Sequence, residues 1–182
     1  MEDLQLVKLQ TPLSEQDVRS LEAGQEILIS GEIYGARDMA HKRLCESIKK
    51  GEQLPFELAG AIIYFLGPTP ERSGRIIGAA GPTTSSRMDG FSSVLIERGL
   101  RAMIGKGYRD DIVREALVKY GAVHLSAVGG AGALLSKKIT EAQVIAYEDL
   151  GTEAIRKLRV VDFPAIVVYD SRGDSAYGLG EQ

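Results

Sequence analysis

Two short stretches concentrate side chains able to grip an anion: "ARDMAHKRL" at 36–44 and "GPTTSSRMD" at 81–89. A guanidinium offers a planar fork that matches a carboxylate, and Arg87 supplies one. Pro82 fixes the backbone ahead of Thr83, Thr84, Ser85 and Ser86, where a helix pattern begins. The hydroxyls, amides and dipole of such a terminus attract carboxylate or phosphate. The same residues also make an ordinary N-cap beside a surface arginine. Arg37, His41, Lys42 and Arg43 fall within seven positions of a chain whose net charge is −3. Local positive charge on an acidic protein suits a small anion, or a solvated helix face.

Two other glycine turns fit known phosphate cradles poorly. Five residues separate Gly99 from Gly105 where the phosphate loop has four, and Gly107 stands where its Ser or Thr would be. "GGAGALL" at 129–135 follows an apolar run but lacks the third glycine and the downstream acid of a dinucleotide site. Its glycines suit close packing of a strand on a helix.

The elements that must position these residues alternate. Ser14 to Asp17 reads as an N-cap opening a short helix to about Leu21. "EILISGEIYGA" predicts a strand with a bend, and "RDMAHKRLCESIKK" a helix with Met39, Leu44 and Ile48 on one face and Gly51 as its stop. "ELAGAIIYFLGP" predicts a buried strand, and "RSGRIIGAAGP" a short strand paired with it through "TPERSG". A helix carrying Met88, Phe91, Val94 and Leu95 follows, ending at Gly99; then come a strand in "LRAMIGKG" and a helix over 109–120. "AVHLSAV" predicts a strand, and "AQVIAYEDL", "KLRVVDFP" and "AIVVYDSRG" three more. Strand–turn–helix units mixed with directly paired strands predict an α/β fold with a mixed sheet and flanking helices, one domain over residues 1–182.

Bulk properties narrow the function classes. The 182 residues are 44% hydrophobic and 26% charged, as in a globular domain. No basic stripe points to nucleic acid, and no apolar run approaches the ~20 residues of a membrane helix. The start, "MEDLQLVKLQ", is acidic and mixed, unlike a secretory signal. A single cysteine, Cys45, excludes an internal disulfide and a self-contained cysteine metal site, so a reducing cytoplasm is expected. In its helix pattern, Cys45 reads as a small buried hydrophobe.

In this order, "GARDMAHKRL", "GPTTSSRMD" and "MIGKG" resemble the beta component of the iron–sulfur hydro-lyases, class I fumarate hydratase and L(+)-tartrate dehydratase, with a likeness running from about Thr11 to Gly173. The resemblance implies a swivelling β/β/α domain. It implies reversible addition of water across a double bond of a dicarboxylate, fumarate to (S)-malate first, with tartrate or mesaconate chemistry as alternatives. It implies a 4Fe–4S cluster carried by a partner alpha subunit, where one iron binds the substrate hydroxyl as Lewis acid. No cofactor or metal would be bound by this chain alone, which suits a sequence with one cysteine where a cluster needs three or more. By the same resemblance, Arg37 and Arg87 match carboxylate-binding arginines, Lys106 a further substrate contact, and Thr83 the threonine regarded as the base. The basic residues at 41–43 would support Arg37 or face the partner. A hetero-oligomer is expected. From a different class, a non-catalytic carboxylate-binding regulatory module would need the cations but no positioned hydroxyl.

Overall fold

The computed structural model describes residues 6–69, 76–127 and 132–178. Its seven strands are β1 (Val7–Gln10), β2 (Glu26–Gly35), β3 (Ile62–Tyr64), β4 (Ala102–Gly105), β5 (Val123–Ala127), β6 (Ile139–Ala146) and β7 (Ile155–Tyr169). The helices are α1 (Glu15–Arg19), α2 (Asp38–Lys50), α3 (Asp89–Glu97), α4 (Asp111–Tyr120) and α5 (Gly132–Ser136). One 3-10 helix, Ser85–Met88, leads into α3, and a second spans Glu148–Glu153.

The strands form one mixed sheet in the order β1-β2-β3-β4-β5-β7-β6. Neighbours β1 to β5 run parallel, whereas β7 is antiparallel to β2, β5 and β6. Because β7 pairs with both β5 and β2, strands β2, β3, β4, β5 and β7 close into a five-stranded barrel. This is the expected α/β fold with a mixed sheet and flanking helices.

Side-chain alternation divides the core in two. Ile62, Tyr64, Ile104, Leu125 and Phe163 belong to one buried cluster, with Ile27, Ile29 and Ile33 of β2. Ile63, Phe65 and Met103 point the other way, against Leu44 of α2, Leu95 of α3 and Leu117 of α4. Strands buried on both faces read as continuous apolar runs, which is why β3, β4 and β5 stand out in the sequence. Local signals hold at the helix ends. Ser14 and Asp17 form a reciprocal capping box on α1, and Asp110 caps α4 through Val113 N. Gly51 and Gly121 end α2 and α4 in the left-handed conformation.

Three expectations need correction. "KLRVVDFP" and "AIVVYDSRG" are not two strands but one, β7, with Asp162 at φ 46° where its outer neighbour changes from β6 to β5. Pro164 lies between those two pairings, so its missing N–H breaks no ladder on that side. On α2 the buried residues are Ala40, His41, Leu44 and Cys45, while Met39 is 42% exposed, so Met39 does not share the core face. The strand expected in "RSGRIIGAAGP" is absent over 76–80; its first residues and the pairing through "TPERSG" lie mostly outside the described residues. Among the described residues, no helix is long and apolar enough to cross a membrane.

Candidate functional site

Ligands of parallel α/β sheets gather where strands end, at their carboxyl edge. Arg37 lies two residues beyond β2, Gly67 three beyond β3 and Lys106 one beyond β4. The segment 82–87 crosses this edge. Leu66 bridges Pro82 on one side and Thr84 bridges Lys106 on the other. Thr83 N donates to Phe65 O (2.8 Å), Ser85 N to Lys106 O (2.8 Å) and Lys106 N to Thr83 O (3.2 Å). The turn is thus stitched across the ends of β3 and β4 and carries Arg87 toward α2.

Both arginines meet the same carboxylate. Arg87 Nε donates to Asp38 Oδ1 at 3.0 Å, and Arg37 Nε lies 3.8 Å from Asp38 Oδ2 and 3.7 Å from Glu153 Oε1. Arg37 Nε and Asp38 Oδ2 are buried without a hydrogen-bond partner among the described residues. Two glycines make the crowding possible. A Cβ at Gly67 would fall 2.4 Å from Arg37 Nη1, and one at Gly105 would fall 2.1 Å from Ser85 Oγ. No side chain fits at either position without displacing the arginine or the turn.

The four residues singled out by sequence therefore share one corner. Arg37 is largely covered, Thr83 half-buried, and Arg87 and Lys106 exposed. The Thr83 hydroxyl donates to Phe65 O at 2.9 Å, leaving its lone pairs free. One part of the expectation changes: the amides of Thr83 and Ser85 are committed to carbonyls and are not open to an anion. The basic run on α2 separates in kind. His41 is fully buried against the Arg37 carbonyl, and Arg43 pairs with Asp149 (2.8 and 2.5 Å). The glycine turn at 129–135 falls largely outside the described residues.

Beneath the corner sits a polar cluster that sequence reasoning missed. The Arg109 side chain is fully buried; its Nε donates to Asp89 Oδ1 (2.6 Å), Nη2 to Ser92 Oγ (2.5 Å) and Nη1 toward His124 Nδ1 (3.2 Å). His124 Nε2 lies 3.1 Å from Ser85 Oγ, inside the site turn. Burial, with the nearby guanidinium of Arg109, pushes the His124 pKa well below its usual value, and burial pulls Arg109 below its own. Asp89 stands in "RMD"; Ser92 and His124 lie in stretches that read as core, and Arg109 opens the helix pattern over 109–120.

A cluster cofactor does not fit this chain's residues. Cys45 is buried, its Sγ 3.7 Å from Phe91 O and its pKa raised by burial. No group of three His, Cys, Asp or Glu side chains converges to hold a metal among the described residues. Two clefts of about 330 and 580 Å³ open elsewhere, one lined by Thr11, Tyr34 and Arg159, the other by Leu54, Phe56 and Arg98. The cationic corner is in neither.

The chain is thus an α/β domain whose closed mixed barrel presents two arginines, a lysine and a hydroxyl at its carboxyl edge. The comparisons place it further. The family model described as "Fumarase C-terminus" matches residues 1–179, and the chain belongs to that family. It is 36% identical over 171 residues to "Putative L(+)-tartrate dehydratase subunit beta" of Methanocaldococcus jannaschii, covering 91% of this chain and 88% of that protein. It is 34% identical over 175 residues to "Fumarate hydratase 2" of Leishmania major and 35% identical over 175 residues to "Fumarate hydratase class I, aerobic" of Salmonella typhimurium. Those matches cover 94% of this chain in both cases but only 31% and 30% of the relatives, so the chain spans about a third of the fumarate hydratases it matches.

Proposed function

We propose that this chain is the beta component of a two-component iron–sulfur hydro-lyase that reversibly hydrates fumarate to (S)-malate. The observation that carries the reading is the pair of guanidiniums gathered on Asp38, beside Thr83 and Lys106. Such an array binds a dicarboxylate in one orientation, and orientation accounts for much of the rate in reactions of this kind. Removing a proton beside a carboxylate builds extra negative charge on that carboxylate. Fixed cations at Arg37, Arg87 and Lys106 stabilise that charge as it develops.

Thr83 is the group we place at the carbon that gains or loses the proton. Its hydroxyl now gives its own proton to the Phe65 carbonyl, which cannot carry that proton away. Acting as a base therefore requires an acceptor outside the described residues, and an alpha subunit is the proposed source. We place the 4Fe–4S cluster on that partner as well, because this sequence holds one cysteine and that cysteine is buried. The exposure of Arg87 and Lys106 leaves both side chains accessible to a second polypeptide. We take residues 1–182 as one domain that works in the cytoplasm.

The near-complete coverage of the beta-subunit relative favours a tartrate reading as the second choice. Coexpression with the alpha component under anaerobic conditions, assayed on malate, tartrate and mesaconate, tests both. Thr83→Ala and Arg87→Ala in that complex should lower turnover by roughly a hundredfold or more while the chain stays folded. Unchanged turnover, or full activity of this chain alone without iron, would overturn the assignment.

A further inference from the structure

The sequence holds two histidines, His41 and His124, and both are fully buried beneath the cationic corner. They flank one aromatic ring. The His41 imidazole meets Phe65 edge-on at 5.3 Å, His124 stacks on it at 6.2 Å, and the Arg109 guanidinium lies 5.3 Å from the ring centre. The backbone carbonyl of Phe65 is the one that receives the Thr83 amide and hydroxyl. Each histidine touches a different arm of the site: His41 the Arg37 carbonyl, His124 the Ser85 hydroxyl.

The partners dictate where each proton sits. A carbonyl only accepts, so the 2.8 Å contact from His41 Nδ1 to Arg37 O requires a proton on Nδ1. His41 Nε2 is then a bare lone pair, and it has no hydrogen-bond partner among the described residues. A guanidinium only donates, so Arg109 Nη1 at 3.2 Å requires a lone pair on His124 Nδ1. The proton of a neutral His124 must then lie on Nε2, 3.1 Å from Ser85 Oγ. A competing acceptor exists in the backbone of Met103, which pulls the His124 pKa the other way. A proton on Nδ1, however, would point at the N–H of Arg109.

We propose that His41 and His124 are held as opposite neutral tautomers, Nδ1–H and Nε2–H, and act as positioning residues that lock Arg37 and the 83–87 turn in place. A neutral donor secures a backbone or hydroxyl oxygen without adding a buried cation to a region already carrying Arg37, Arg87, Lys106 and Arg109. A lysine could make the same bonds only by adding that charge, at a desolvation cost. Burial pushes His41 down to about 4 and His124 well below its usual range, so both rings stay uncharged at neutral pH.

The primary test is independent of any activity. Long-range 1H–15N correlation spectra of the full chain, labelled in histidine ring nitrogens at pH 7, contain two imidazoles only. One ring should show its proton on Nδ1 and the other on Nε2, assigned through His41→Asn and His124→Gln. Two identical tautomers, exchange between tautomers, or an imidazolium would overturn the inference. A second test rests on the proposed hydro-lyase function and uses the reconstituted complex. Asparagine places its amide N–H where Nδ1 sits, and glutamine where Nε2 sits. His41→Asn and His124→Gln should keep kcat within a few-fold of wild type. The exchanged pair, His41→Gln and His124→Asn, should lower kcat per folded molecule by roughly tenfold to a hundredfold at similar KM. Equal losses for matched and exchanged amides would overturn the positioning role. A wild-type complex that hydrates no dicarboxylate sinks the hydro-lyase reading and leaves the spectroscopic result standing.

Discussion

Asp89 and Asp38 open neighbouring helices, and each receives an arginine, but the two pairs are built differently. Around Asp89 every guanidinium nitrogen of Arg109 and both carboxylate oxygens have a partner. Arg109 spends Nε on Asp89, one terminal nitrogen on Ser92 and the other on His124 and Met103 Sδ (3.4 Å), while Asp89 Oδ2 takes the Asp110 amide (2.9 Å). Around Asp38 the geometry is loose. Arg37 sits 3.8 Å away with its Nε unbonded, Arg87 is 54% exposed, and Asp38 Oδ2 has no hydrogen bond among the described residues. A saturated buried network fixes one arrangement, because any change leaves a charge unpaired. An unsaturated rim keeps bonding capacity for something that arrives. The lower cluster therefore sets the shape, and the upper one is available to a ligand.

The sharpest way to break this contrast is Arg109→Leu. Removing one partner leaves the Asp89 carboxylate, 11% exposed, without its main counterion. Such losses cost about 3–5 kcal/mol, so the unfolding free energy extrapolated from urea titration should fall by that amount. The double change Arg109→Leu with Asp89→Asn should recover part of it, because no charge is stranded. A shift below about 1 kcal/mol for Arg109→Leu would mean that the buried network does not hold the turn.

A smaller effect comes from pH. The His41 pKa in the folded chain is about 4, lowered mainly by burial and further by Arg109, against 6.5 when unfolded; its bond to the Arg37 carbonyl and the nearby Asp38 act in the opposite sense. Between those values the unfolded chain binds a proton that the folded chain refuses. Stability is therefore full above pH ~6.5, falls as pH drops through the window, and levels off below pH ~4, with a total loss of about 3 kcal/mol. His124 adds in the same direction. His41→Asn should flatten the slope of stability between pH 6.5 and 4. An equal slope in that variant would show that other groups carry the acid sensitivity.

The same contrast explains what was legible in the sequence. The rim was readable because the short motifs that carry the family resemblance hold Arg37, Thr83, Arg87 and Lys106. The network below was not. His124 lies in "AVHLSAV" and reads as one polar residue in a buried strand, and its partner Arg109 lies fifteen positions earlier, at the entrance to α4. Only the parallel pairing of β4 and β5 and the stitching of Ser85 to Lys106 bring them together. Strand β1 escaped notice because it is only four residues long, Val7–Gln10, too short for its alternation of Val7 and Leu9 with polar residues to stand out. The continuity of β7 through Pro164 was hidden because a proline ends most strands; here it falls where two outer partners change over.

The smallest expected change in stability is the most informative for function. Arg87→Ala removes one ion pair of 3.0 Å from a side chain that is 54% exposed. Exposed pairs contribute about 0–1 kcal/mol, so the urea midpoint should hardly move. Turnover of the reconstituted complex should fall by roughly a hundredfold or more, because a substrate carboxylate loses its fork at the moment charge builds. Arg87→Lys keeps the charge and loses the planar pair of donors, so it should lie between wild type and alanine. If alanine and lysine lowered stability as much as Arg109→Leu while turnover per folded molecule stayed constant, Arg87 would be scaffolding. The division between a holding layer and a binding rim would then fail at the residue where it is drawn most cleanly.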